Sequence, residues 1–252
     1  MNISGKNVSF SLAFKKSFCY TEKRKKDKVQ IGVIKKEKMK EKEEERLTKL
    51  KQIENKWYEK GVTAICGIDE AGRGPLAGPV VVAACILPKD SKIEGVNDSK
   101  KVSEKKREML YDAITSSAIS YGIGIVSQEK IDEINILNAT KKALTMSLQE
   151  LNPKPDLILV DALNHIDTLG IPYQSYIKGD ANCYSIAAAS ILAKVTRDRI
   201  MRQWDEIYPM YGFAKHKGYG TASHIAAIRE YGICPLHRKS FVKNIIQGKE
   251  NK

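Results

Sequence analysis

The chain has 252 residues, 42% of them hydrophobic and 29% charged, with a formal net charge of +13. That length accommodates one sizeable domain with an appendage, or two small ones, and the apolar fraction is ordinary for a globular core. The charge points to a polyanionic partner, nucleic acid or an anionic membrane surface, and no run approaches the 18 consecutive apolar residues of a membrane span.

Residues 1–38 show no periodicity and are rich in Lys and Ser, so they are expected to be a poorly ordered basic segment. From Met39 to Lys60 the pattern becomes helical: Leu47, Leu50, Ile53 and Trp57 recur at spacings of three and four, forming one apolar stripe on a charged helix. Such a stripe predicts a helix docked on its own domain. A chain beginning at Met39 is therefore expected to fold and function, and Met39 is a candidate natural start.

From residue 63 the text becomes α/β. Thr63–Ile68 and Pro79–Leu87 are short apolar runs rich in β-branched residues, bounded by Gly and Pro, and predict strands. Ser103–Ala118 predicts a helix with Ser103 as N-cap. Ser120–Val126 alternates as a strand. Lys130–Leu151 predicts a helix ended by Asn152-Pro153. Leu157–Val160 and Tyr173–Ile177 predict strands, and Asn182–Ile207 a long helix whose Ala-rich start suits close packing on a sheet. The mixed order of strands and helices predicts one mixed sheet with helices on its faces.

The charge is unevenly spread. Residues 1–60 carry 18 Lys+Arg against 9 Asp+Glu, residues 61–193 carry 13 against 16, and residues 194–252 carry 12 against 5. An acidic middle between basic flanks suits a nuclease, with cations for phosphates and carboxylates for a metal; an unevenly charged surface gives the same counts. The five cysteines are odd in number and widely spaced, with no C-x-x-C pair, which argues against zinc and for a reducing, cytoplasmic setting. No convincing secretory signal opens the chain.

Four acids stand at or just past predicted strand ends: Asp69 and Glu70, Asp161, and Asp180. If the strands ending at Ile68 and Val160 run parallel, their carboxyl ends bring Asp69 and Asp161 together, where open α/β sheets form sites. Clustered carboxylates repel unless a divalent cation lies between them, and oxygen ligands suit Mg²⁺ or Mn²⁺. Singly, each acid is equally a turn or cap residue. Adjacent strand residues face opposite ways, so a site shared by Asp69 and Glu70 requires the strand to end or twist there, next to Gly72 and Gly74. The segment Gly72-Arg73-Gly74 is either a tight turn or a loop that exposes N–H groups to a phosphate or a ribose.

The stretch Gly67-Ile68-Asp69-Glu70-Ala71-Gly72-Arg73-Gly74-Pro75-Leu76-Ala77-Gly78-Pro79 resembles the opening signature of the ribonuclease HII family. Three further blocks follow in the family's order: Asn97–Lys101, Ser185–Arg199 and His216–Thr221. The resemblance runs from about residue 62 to 242. It implies a ribonuclease H-like mixed five-stranded sheet flanked by helices over residues 61–252, with a basic N-terminal extension. It implies an acidic quartet of Asp69, Glu70, Asp161 and Asp180, the first three being the main ligands of Mn²⁺ or Mg²⁺. It implies that Gly72, Arg73 and Gly74 read the RNA–DNA junction and that Tyr219 packs on the following deoxyribose; the lysines and arginines after residue 194, with Lys100 and Lys101, are expected to hold backbone phosphates. Asp198 is expected to be a structural partner inside its helix. The related ribonuclease HIII usually has Thr in place of Arg73 and a larger N-terminal domain, so both features favour type HII.

The activity so implied is hydrolysis of the RNA strand of RNA–DNA hybrids and incision 5′ of ribonucleotides embedded in duplex DNA, with 3′-hydroxyl and 5′-phosphate products. A monomer acting without a membrane partner is expected. The rivals are a metal-dependent DNA nuclease or integrase on a similar sheet, and a basic nucleic-acid-binding module with a decayed site.

Overall fold

The sequence alternates short β-branched runs with long amphipathic segments, and the computed structural model resolves them into a five-stranded sheet with helices on both faces. The structure describes residues 36–247. The chain divides into two compact units, Met1–Arg46 and Leu47–Lys252. Residues 36–50 are helical (α1), so the irregular segment expected over 1–38 lies outside the described residues except at 36–38, which are helix. Everything that follows concerns the second unit.

Strand β1 (Ile65–Ala71) pairs antiparallel with β2 (Val80–Ile86), and β2 antiparallel with β3 (Ser120–Val126). On its other side β1 pairs parallel with β4 (Leu157–Asp161), and β4 parallel with β5 (Tyr173–Tyr176). The order is β3-β2-β1-β4-β5, a mixed sheet as the pattern predicts. All seven residues of β2 are buried, which is why the run Val80–Ile86 is apolar throughout: a central strand is covered on both faces. Val81, Ala83 and Cys85 pack beneath α6 (Tyr184–Ile207) and α3 (Glu104–Ser117); Val80, Val82, Ala84 and Ile86 pack beneath α4 (Gln128–Gln149). The Ala-rich first turns of α6 lie so close to β1 that a Cβ at Gly67 would fall 2.1 Å from the carbonyl carbon of Ser185.

Caps fix the ends of these helices. Ser103 accepts from Lys106 N, as expected, and Ser127 accepts from Lys130 N, so α4 begins two residues before the predicted Lys130. The long α6 has no capping side chain of its own. The carboxylate of Glu54, on α2 (Gln52–Tyr58), serves instead: Oε1 accepts from Ser185 N at 2.7 Å and from Cys183 Sγ at 3.2 Å. Glu54 is only 2% exposed, and negative charge at a helix N-terminus opposes the positive end of the backbone dipole. Leu47 and Leu50 are buried, and Trp57 Nε1 donates to Tyr176 Oη at 3.1 Å, so the apolar stripe docks on the body of the domain. Glu54→Ala is expected to leave the Ser185 N–H without its acceptor and to lose about 1–3 kcal/mol. In a domain of this size that is a fall of several degrees in melting temperature. An unchanged melting curve would show that α2 does not cap α6.

Candidate active site

Asp69 and Glu70 lie on β1, Asp161 is the last residue of β4, and Asp180 sits on the short helix α5 (Gly179–Asn182) that follows β5. The parallel register Ile68↔Val160 sets Asp69 and Asp161 next along neighbouring strands. The alternation of side chains required β1 to end or twist for Asp69 and Glu70 to share a site; it does not end there. Pairing with β2 runs on regularly through Ala71↔Val81, whereas the pairing with β4 stops at Ile68↔Val160. β1 outruns its parallel neighbour, so both acids reach the same open edge without a break in the strand. Asp180 lies just past β5, as expected: Lys178, in the left-handed region at φ 58°, turns the chain after that strand and starts α5.

Asp69 and Glu70 line a cavity of about 190 Å³ together with Gly72, Arg73 and Gly74, Lys100, Lys194 and Tyr219. Asp161 and Asp180 act on it through their charge and through Lys100. Each acid holds one donor: Asp69 Oδ1 accepts from Glu70 N (2.8 Å), Glu70 Oε1 from Arg73 Nη1 (3.3 Å), Asp161 Oδ1 from Gly179 N (2.7 Å) and Asp180 Oδ2 from Lys100 Nζ (3.3 Å). Burial, then the charge of Glu70, and more weakly those of Asp161 and Asp180, push the Asp69 carboxyl well above the usual carboxylate range. Burial also raises Glu70, with Arg73 opposing, and raises Asp161, with the Gly179 N–H opposing. Burial would lower Lys100, yet the charge and hydrogen bond of Asp180 outweigh it and raise that ammonium.

The donor set is all carboxylate oxygen, which suits a hard divalent cation such as Mg²⁺ or Mn²⁺, and mutual repulsion is what such a cation relieves. Among the described residues no three His, Cys, Asp or Glu are already drawn together at ligand distance; each acid leans on its own N–H or cation. In charge and chemistry the residues fit the ion.

Of the residues singled out from sequence, the fold brings Asp69, Glu70, Gly72, Arg73, Gly74, Lys100 and Tyr219 to one cavity. Lys101 is not on its wall; its Nζ lies 3.8 Å from Asp98 Oδ2 and its side chain is mostly exposed. Asp198 is 2% exposed and holds Lys194 (2.7 Å) and Arg107 (3.6 Å), a structural partner that steadies the cavity lysine.

Lys194 and a stack of histidines escaped sequence reasoning, and Arg197 and Arg238, expected among the phosphate-holding cations after residue 194, are instead fully buried. Arg197 shares the inward stripe of α6 with Ile186, Ser190 and Ala193, and a charge on that stripe was the available signal. At Gly72 (φ 98°) an added Cβ would lie 2.1 Å from Arg197 Nε, so the loop takes only glycine there.

The histidines fix the backbone of Tyr219. Cys234 N donates to His237 Nδ1 (3.0 Å), which puts the His237 proton on Nε2, facing His224 Nε2 at 3.1 Å. His224 then carries its proton on Nδ1 and donates to Tyr219 O (2.9 Å). The chain of bonds requires both rings neutral. Burial and His224 push His237 down to about 4 from an ordinary 6.5, and burial lowers His224 too. Because the unfolded state takes up this proton near pH 6.5 and the folded state only near 4, stability from His237 is complete above pH 6.5 and is lost as pH falls towards 4. Between pH 7 and pH 5 the loss is about 2 kcal/mol. The carboxylates, shifted upwards, contribute with the opposite sign, so the group is best read directly. An NMR titration is expected to show His237 changing protonation near pH 4; a midpoint near 6.5 would contradict the neutral relay.

The family model described as Ribonuclease HII matches residues 66–244. The chain is 57% identical over 223 residues to a Ribonuclease HII of Acetivibrio thermocellus, covering 87% of both chains, and 58% identical over 205 residues to that of Clostridioides difficile, covering 81% of this chain and 80% of the relative. Its fold is similar to the crystal structure of ribonuclease H2 from Pyrococcus horikoshii, with a TM-score of 0.63 at 27% identity over 75% of this chain and all of that one. The matched residues take in the five strands from Cys66 onwards and every residue lining the cavity: this chain belongs to the ribonuclease HII family, divalent-metal-dependent endoribonucleases that hydrolyse the RNA of RNA–DNA hybrids and nick at embedded ribonucleotides.

Proposed function

We propose that this chain incises duplex DNA on the 5′ side of an embedded ribonucleotide, and the RNA strand of hybrids, leaving 3′-hydroxyl and 5′-phosphate ends, in ribonucleotide removal and primer processing. One observation carries the reading: Asp69 and Glu70, within the electrostatic reach of Asp161 and Asp180, line a cavity whose remaining wall combines a glycine–arginine turn, two lysines and an exposed tyrosine. Asp69, Glu70 and Asp161 hold Mn²⁺ or Mg²⁺, and Asp180 adds charge and fixes Lys100. Bound there, divalent cations supply a water of lowered pKa and neutralise charge developing on the phosphorus oxygens. Arg73 and Lys100 are the cations closest to the acids and grip the phosphates flanking the cut, with Lys101 outside them; affinity then falls with salt. Main-chain groups of Gly72–Gly74 read the 2′-OH, since glycine permits close approach and a peptide cannot swing away. The exposed ring of Tyr219 covers the next sugar and tolerates no 2′-OH there.

The reading has the chain act as a monomer in the cytoplasm, on nucleic acid and without a membrane partner. No helix among the described residues is long and apolar enough to cross a membrane. End mapping tests the chemistry: a duplex with one ribonucleotide is expected to give a single nick, its downstream fragment beginning with a 5′-phosphorylated ribonucleotide. A nick 3′ of the ribonucleotide, or a 2′,3′-cyclic phosphate end, would overturn it.

A further inference from the structure

Arg197, on α6, and Arg238, just before α9 (Lys239–Gln247), are both 0% exposed. Among the described residues neither is paired with a carboxylate, although a buried charge is costly unless it is compensated. Main-chain carbonyls supply the compensation. Arg197 donates to Pro79 O (Nε, 3.0 Å), Ala77 O (Nη2, 3.0 Å) and Lys217 O (Nη1, 2.8 Å). Arg238 donates to Gly78 O (Nε, 3.0 Å), Arg73 O (Nη1, 2.9 Å) and Gly72 O (Nη2, 2.6 Å). Five of these six carbonyls belong to the turn between β1 and β2, and the sixth is two residues before Tyr219.

The direction of those carbonyls has a consequence for the cavity. The peptides 72–73 and 73–74 are trans, so each N–H points opposite to its C=O. With Gly72 O and Arg73 O drawn inward to Arg238, the N–H groups of Arg73 and Gly74 point away from it, on the side where Gly72, Arg73 and Gly74 line the cavity. Neither N–H meets an acceptor among the described residues. A cation bonded to the carbonyl of a peptide also polarises it, which strengthens its N–H as a donor.

We infer that Arg238, backed by Arg197, is a positioning residue for substrate selection: it aims and polarises the Arg73 and Gly74 N–H groups so that they receive an oxygen of the ribonucleotide, the ribose 2′-oxygen. The inference rests on the proposed role of the Gly72–Gly74 loop and adds what holds that loop in register. Arg238 touches no substrate. Lysine at this position keeps the charge but has no fork, so it cannot engage Gly72 O, Arg73 O and Gly78 O at once.

The test uses the full chain with Arg238→Lys and two duplexes of one sequence, all DNA or carrying a single ribonucleotide. At a temperature where R238K is fully folded, kcat/KM on the ribonucleotide duplex is expected to fall about 100-fold, the scale of one lost preorganised donor. Its Kd for the all-DNA duplex is expected to stay within about twofold of the parent, because phosphate contacts are untouched. Retention of kcat/KM within about threefold, or an equal loss of affinity for the all-DNA duplex, overturns the role. NMR separates this from failure of the loop reading. With Ca²⁺ in place of Mg²⁺, the Gly74 amide of the parent is expected to shift differently on the two duplexes, and the difference is expected to vanish in R238K. No difference in the parent sinks the loop reading itself; a difference that persists in R238K sinks only the positioning role. If R238K does not fold, the Arg238 Nε–H resonance of the parent decides: it is expected to move with the ribonucleotide duplex and not with the all-DNA one, and an unmoved resonance contradicts the inference.

Discussion

Asp69→Asn is expected to abolish cleavage and, at the same time, to stabilise the metal-free protein. Asp69 is 6% exposed, and its carboxyl is pushed well above the usual range by burial, by Glu70, and by Asp161 and Asp180. An acid whose folded pKa lies above its unfolded value binds its proton better in the folded state. Its contribution is therefore favourable at low pH and is lost as pH rises through the folded pKa, so at neutral pH the ionised group opposes folding. The amide removes that charge yet keeps an oxygen for the Glu70 N–H, which Asp69 Oδ1 holds at 2.8 Å. In the presence of a chelator, D69N is expected to melt several degrees above the parent at pH 7.5, the gap closing as pH falls. Adding Mg²⁺ or Mn²⁺ is expected to raise the melting temperature of the parent and not of the variant, because only a ligand that binds the folded state shifts the transition. The rate on any substrate is expected to fall by at least about 1,000-fold, on the scale of losing a bound cation's charge stabilisation. Near-normal turnover of D69N in saturating Mn²⁺, or a lower melting temperature without metal, would contradict the assignment.

Tyr219→Ala is expected to separate the two substrates. The ring is 44% exposed while its backbone is fixed on both sides, by Tyr219 N to His216 O (2.9 Å) and by His224 Nδ1 to Tyr219 O (2.9 Å). Beneath it lie Arg197 and Lys194, with Cζ 5.9 Å and Nζ 6.0 Å from the ring centroid. An aromatic face held rigidly over cations is built to meet a sugar or base, a contact worth about 1–3 kcal/mol. At a ribonucleotide followed by DNA the variant is expected to lose roughly 10- to 100-fold in initial rate, and within an all-RNA strand paired to DNA less than about threefold. Under the proposed reading, the 2′-OH of the following nucleotide would already keep the ring from its seat in the all-RNA strand. Equal losses on both would remove Tyr219 from the reading of the junction.

The parts of this account that were legible in sequence are those governed by local rules. The alternation SYGIGIV gives β3 with its observed ends at Ser120 and Val126, and Ser103 caps α3 because a short hydroxyl before a helix has one favourable use. The acids stood out because charge at the end of an apolar run is unusual. What was not legible depends on contacts distant in sequence. The strand β1 continues through Asp69 and Glu70 because β2 still pairs with it, a fact of register and not of composition. Glu54 caps α6 from 131 residues away, and nothing around Glu54 distinguishes it from the surface glutamates of the same charged segment. Arg238 follows no periodicity, and the helices after residue 208, α7 (Phe213–His216) and α8 (Ala222–Tyr231) among them, are short and tied together by buried histidines.

The most direct test is the cleavage of three duplexes of one sequence, all DNA, DNA with one ribonucleotide, and a full RNA–DNA hybrid, each with Mg²⁺ and with Mn²⁺. The four-carboxylate site with its glycine–arginine loop predicts hydrolysis of the second and third, none of the first, and no cutting of any when a chelator replaces the cation. Cutting of the all-DNA duplex at a comparable rate would contradict it, because a site that reads the 2′-OH has nothing to hold there.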